Sequence, residues 1–239
     1  MKTLLAWLGL RHVVLTATQT LQLAAWQALP EPSSEEALDA ARWVVIDVEA
    51  SGLDMRRDRL ISIGAVALHG ANLALADSFE VVLQQIKASN HANILVHGIG
   101  GTEQRAGENP ADALLAFLAY AGKSRLVAFH AAFDEAMIGR ALQEHLGLRF
   151  KRPALDLAYL APAMYPEFPA RRQSLDDWLT RFGIRDITRH QALSDAYSSA
   201  QLLQILLQRA KQNGVKNCAD LIQQAQAQFC LYQMESRAL

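Results

Sequence analysis

The chain has little cysteine, little net charge and no apolar run of membrane-spanning length. Its two cysteines, Cys218 and Cys230, match no metal-knuckle spacing and supply no disulfide framework. That usage points to a reducing, cytoplasmic compartment. Lys and Arg number 23 against 24 Asp and Glu, for a formal charge of -1, so no global basic field marks a polyanion binder. An acidic metal site would itself subtract charge, and local basic groups remain at Arg56, Arg57 and Arg59, at Lys151-Arg152 and at Arg171-Arg172. The apolar stretch Leu4–Leu10 follows Met1-Lys2 as a signal-peptide start would, but Arg11 and His12 cut it short. No segment predicts a membrane span. What is present is apolar content of 51%, ample for the core of one ordinary domain.

The helical spacing of Leu21, Ala24, Ala25 and Leu29 predicts an amphipathic arm. Pro30–Ser34 breaks it, and Ser33 with Glu36 has the spacing of a capping box for a short helix leading to Arg42. The expected organisation is an N-terminal helical arm over 1–38, a catalytic domain over 39–213 and a C-terminal helical segment over 214–239. Within the domain, Trp43–Val48, Leu60–Leu68 and Leu75–Leu83 read as strands, the last two joined by a hairpin at His69–Asn72. Residues 84–109 read as a loop. Pro110 opens a helix to Ala121, Leu126–Phe129 is a short strand, and Phe133–Leu146 a helix closed by Gly147. Pro153–Leu157 reads as another strand; Leu175–Phe182, Leu193–Lys211 and Ala219–Gln233 read as helices. A strand meander followed by alternating helix and strand predicts an α/β fold with a mixed sheet flanked by helices.

The chemistry sits in five residues: Asp47, Glu49, Asp134, His190 and Asp195. Asp47 and Glu49 are two apart in the buried run Trp43–Leu53, so their side chains share one face of a strand. Two carboxylates there are costly unless a cation joins them. Oxygen ligands of this kind suit Mg2+ or Mn2+ rather than zinc. Alone, Asp134 near a helix start or a single His190 would carry little weight. Their combination points to metal-dependent hydrolysis.

Three segments carry a family resemblance: Asp-Val-Glu-Ala-Ser-Gly-Leu at 47–53, Phe-His-Ala-Ala-Phe-Asp at 129–134 and His-Gln-Ala-Leu-Ser-Asp-Ala at 190–196. They resemble the motifs of the DnaQ-like 3′→5′ exonucleases of the DEDDh branch, related to the proofreading subunit of bacterial replicative polymerase. The likeness runs from about Arg42 to about Leu206 and includes Val96-His-Gly-Ile99. His190, five before Asp195, marks the histidine branch; Gln191 stands where the other branch has tyrosine. His130 replaces a family asparagine that positions substrate, and Gln191 a glycine.

The resemblance implies a ribonuclease H-like fold with a mixed five-stranded sheet. It implies two divalent cations, Mg2+ or Mn2+, held by Asp47, Glu49, Asp134 and Asp195, with His190 as general base. The expected reaction is 3′→5′ hydrolysis of single-stranded DNA ends to nucleoside 5′-monophosphates. Ala50, Ser51, Gly52, Leu53, His97, Ile99, His130 and Phe133 become candidate substrate contacts. Leu53 reads equally as a wedge under the terminal base or as a core leucine. An exoribonuclease is the alternative substrate class, and a non-catalytic nucleic-acid-binding scaffold the alternative role. Association with a DNA polymerase is a further expectation.

Overall fold

A computed structural model describes residues 13–168, 173–185 and 190–237. Leu4–Leu10 and Arg171-Arg172 lie outside the described residues. A five-stranded sheet has the order β3-β2-β1-β4-β5, formed by β1 (Arg42–Ala50), β2 (Leu60–His69), β3 (Asn72–Val82), β4 (Arg125–Ala128) and β5 (Leu155–Asp156). The β1-β2-β3 meander is antiparallel; β4 and β5 join in parallel. This is the mixed, helix-flanked sheet expected from the sequence.

Alternation along β1 divides the core. Trp43 and Val45 face one apolar cluster and Val44, Ile46 and Val48 the other, as the two-residue period of a strand requires. The first cluster is covered by α6 (Leu157–Met164), α7 (Leu175–Phe182), α8 (Ala192–Gln212) and α9 (Cys218–Arg237). The second is covered by α4 (Pro110–Ala121), α5 (Ala132–Leu146) and an N-terminal helix, α1 (Ala17–Gln27). Central strands covered on both faces read as continuous apolar runs, which is why β1 and β2 were visible in the sequence.

Several expectations are corrected. Residues 84–109 hold two short helices, α2 (His91–His97) and α3 (Gly101–Ala106). Pro153–Leu157 gives only the two-residue β5, because α6 begins at once behind its N-cap, Asp156. Ser33–Glu36 starts no helix; Glu36 pairs with Arg125 instead, leaving turns between the arm and β1. The arm is helical, but its docked face is Leu15, Leu23 and Trp26, with Leu21 71% exposed. Trp26 decides this orientation, since an indole has far more area to bury than leucine or alanine. Its Nε1 donates to the Gly122 carbonyl at 2.8 Å, and Lys123 lies 3.7 Å from its ring centroid. The C-terminal helix is part of the core, burying Cys218, Leu221, Ala225 and Tyr232. Among the described residues no helix is long and apolar enough to cross a membrane.

One polar clamp fixes the meander. Arg42 donates to both carboxylate oxygens of Asp77 at 3.0 and 2.7 Å. The same guanidinium reaches Ser124 and the Tyr120 carbonyl, tying β1, β3 and the end of α4 together.

Candidate metal centre

Asp47 and Glu49 continue the odd-numbered face of β1, the face that α8 covers. Opposite Asp47 in the antiparallel ladder stands Gly64. A Cβ there would lie 2.1 Å from the backbone nitrogen of Leu193 and 2.2 Å from the carbonyl carbon of Ala192. The start of α8 therefore rests directly on β2, an approach open only to glycine. That contact sets Asp195, in the first turn of α8, beside β1. One carboxylate oxygen each from Asp47, Glu49 and Asp195 lies within 4.8 Å of the other two. Glu49 and Asp195 are buried, at 9% and 6% exposure.

Three oxygen donors converging in a shielded place fit a hard divalent cation, which would offset their mutual repulsion. Asp134 is not within that trio. Its buried carboxyl meets the backbone N–H of Val48, the amide between the two β1 acids. Burial, with the nearby charge of Asp156 adding to it, raises its pKa well above the usual carboxylate value. A cation beside this carboxyl would favour its ionised form. Asp134 thus stands next to the cluster without closing it.

Two motif histidines share an unusual backbone. His130 and His190 have φ of 61° and 62°, and no other non-glycine residue described is left-handed. The His190 N–H donates to Asp195 Oδ2 at 3.1 Å, and its side chain is exposed. His130 is held by Asp156, whose carboxylate accepts from the N–H groups of His130 (2.9 Å), Ala131 (3.1 Å) and Ala158 (2.9 Å). Asp156 thus organises the loop that delivers Asp134.

The substrate candidates divide. Leu53 is 88% exposed, which removes its reading as a core leucine. Ser51 is engaged, donating to Asp58 at 2.8 Å and accepting from the Arg59 N–H. A Cβ at Gly52 would meet the Asp58 carboxylate at 2.4 Å, so a side chain there would displace that carboxylate from Ser51. Ala50 ends β1, and Phe133 packs on the second apolar cluster. His97 is buried; its Nδ1 accepts from the Ile99 N–H at 3.1 Å, so Nε2 carries the proton that faces Ser89 Oγ at 3.2 Å. Burial lowers its pKa, favouring that neutral ring. Along with Ile99, Ser62 and Gln191, His97 lines a groove of about 560 Å³.

Gly64 and Asp58 escaped the sequence reading. The signal for Gly64 was there, a lone glycine in the apolar strand Leu60–Leu68. Asp58 offered none beyond a short polar residue in a turn.

Residues 44–203 match the family model RNase T, described as exonuclease. The chain belongs to that exonuclease family. It is similar to the PolC-type DNA polymerase III of Thermotoga maritima, 26% identical over 189 residues that make up 79% of this chain and 14% of that protein. To the PolC-type polymerase III of Bacillus subtilis it is 28% identical, over 75% of the chain and 12% of that protein. This exonuclease-family chain thus spans only a small part of those relatives. Among solved structures, E. coli exonuclease I with a dT13 oligonucleotide superposes with TM-score 0.61 at 17% identity, covering 72% of this chain and 42% of that one. A second exonuclease I structure gives 0.62 at 16% identity, over 77% and 42%. They share the ribonuclease H-like fold seen here.

Proposed function

We propose that the protein is a metal-dependent 3′→5′ exonuclease of the DEDDh type, removing nucleotides from single-stranded DNA ends. The observation that carries this reading is the convergence of Asp47, Glu49 and Asp195 within 4.8 Å of one another. Family membership supports the reaction class. The names of the relatives and the oligonucleotide in the exonuclease I structure favour DNA.

Asp47, Glu49 and Asp195, with Asp134 beside Val48, would hold two divalent cations, Mg2+ or Mn2+. Bound there, such ions supply charge stabilisation for the attacking and leaving oxygens. His190 accepts a proton from the water that attacks phosphorus. The bond from phosphorus to the upstream 3′ oxygen breaks, that oxygen takes up a proton, and a nucleoside 5′-monophosphate leaves. The left-handed backbone of His190, tied to Asp195 through its N–H, couples the base to a ligand carboxylate. Leu53, standing free in solvent, serves as the wedge under the terminal base; Ile99 and His97 line the groove on the other side of β2. We assign catalysis to 39–213, with 1–38 as an N-terminal helical arm and 214–239 as a C-terminal helical segment. The PolC-type relatives favour a polymerase partner, which co-purification from cell extract tests.

The activity is tested on matched 3′-DNA and 3′-RNA oligonucleotides with Mg2+, Mn2+ or chelator. Metal-dependent release of 5′-monophosphates from DNA is expected. Faster trimming of RNA would reassign the substrate, and inertness with both ions would leave a binding scaffold.

A further inference from the structure

A second surface has the opposite charge from the acid cluster. It is a groove of about 1110 Å³ between the loop after β1, the segment after β3 and the α5 helix. Six cations line it, Arg56, Arg57, Arg59, Lys87, Arg105 and Arg140, against one carboxylate, Glu144. Such concentration is unusual in a chain whose formal charge is -1.

Among the described residues, most of that charge meets no carboxylate. Arg59 donates to the Gln85 side chain at 3.1 Å and to the Lys87 carbonyl at 2.7 Å, both neutral acceptors. Arg140 donates to the Met55 carbonyl at 2.7 Å, which is also neutral. Arg57 faces Asp54 only at 3.8 Å, with its side chain 89% exposed. The two tethered guanidiniums are positioned by these bonds while their charge stays available to a ligand. A fixed row of cations in a groove attracts a chain of phosphates.

The groove opens at the same end of β1 as the acid cluster, on the other face of the sheet, and α5 runs from Asp134 along it. Leu60, in its wall, pairs with Ala50, the residue after Glu49. Met137 and Ala141, also in its wall, follow Asp134 at three and seven residues along α5, on one helical face. At about 1.5 Å rise per residue, Asp134 to Glu144 spans roughly 15 Å. That is about four nucleotides at the ~3.4 Å rise of a stacked strand. Exposed Leu53, Met55 and Ile86 lie on the intervening loops and offer apolar surface to bases.

We infer that this groove binds the phosphate backbone of the strand upstream of the 3′ end seated at the acid cluster. The inference rests on the nuclease reading for its direction, and its test separates the two. Fluorescence anisotropy of a labelled 12-nucleotide single-stranded DNA, without divalent ions, compares two charge-matched variants. One removes groove cations, Arg57→Gln/Arg105→Gln; the other removes Lys211→Gln/Lys216→Gln, outside the groove. All four side chains are exposed, and the surface pairs of Arg57 with Asp54 and Lys211 with Asp39 contribute little to stability, so each variant loses at most one such pair.

The groove pair should weaken binding roughly tenfold at physiological salt. It should also flatten the slope of log K against log salt by about 1.4, at ~0.7 per lost contact. The control pair should change neither, and a trinucleotide, too short to span the groove, should hardly distinguish them. Equal behaviour of the two pairs, or equal loss on the trinucleotide, would overturn the groove. Hydrolysis by the unsubstituted protein is followed in parallel. Activity with indistinguishable pairs removes the groove and keeps the nuclease; a groove-specific loss without activity does the reverse.

Discussion

At the residue scale, the proposed general base His190 and the close-contact residue Gly64 are tested by different substitutions. His190 offers an imidazole; Gly64 offers the absence of a side chain. Replacing His190 with alanine should reduce hydrolysis by roughly 10²–10⁴-fold, the range for a general base, while calorimetry shows unchanged divalent-ion affinity. Parental rates in that variant would remove the assignment. Gly64→Ala forces a methyl group into the Ala192–Leu193 backbone, so α8 must lift from β2. Overpacking of this kind costs about 1–3 kcal/mol. Denaturant unfolding should show that loss, and metal affinity should fall with it because Asp195 moves. A variant of parental stability with intact metal binding would contradict the docking argument. Asp47 and Glu49 were legible from their spacing, since a two-residue period dictates a shared face. The approach that brings Asp195 to them was not, because it depends on a backbone contact between residues 128 positions apart.

At the element scale, the Arg42–Asp77 clamp makes stability depend on pH. Hydrogen bonding from Arg42 lowers the Asp77 carboxyl below its ordinary value of 3.8, against the opposing effect of burial. A carboxyl that titrates lower when folded contributes stability that is complete above the unfolded pKa and lost as pH falls through the folded one. Asp77→Asn should therefore cost about 1–2 kcal/mol near neutrality, with the gap to the unsubstituted protein closing below about pH 3.8. Urea midpoints across pH check this; a gap that widens in acid would refute it. Elements with strong local signals were readable in advance: Pro110 opens α4, and Gly147, with φ 65°, closes α5. The misses were short. With seven and six residues, α2 and α3 are too brief for periodicity to show, although Asn90 and Gly98 cap the first of them. At two residues β5 exists only through pairing with β4, a tertiary fact.

At the scale of the whole molecule, net charge concealed the two surfaces that matter most. Carboxylates gather at the end of β1 and the start of α8, and cations gather on the loop after β1 and around the groove beside it; the whole chain sums close to zero. Composition sees only that sum, whereas motif order located the acids. In the proposed mechanism those acids grip a pair of divalent ions. Calorimetric titration of Mn2+ into the metal-free protein and its Asp47→Ala variant tests this directly. Two ions per chain for the parent and severe loss of affinity in the variant are predicted; unchanged binding in the variant, or none in the parent, would contradict it.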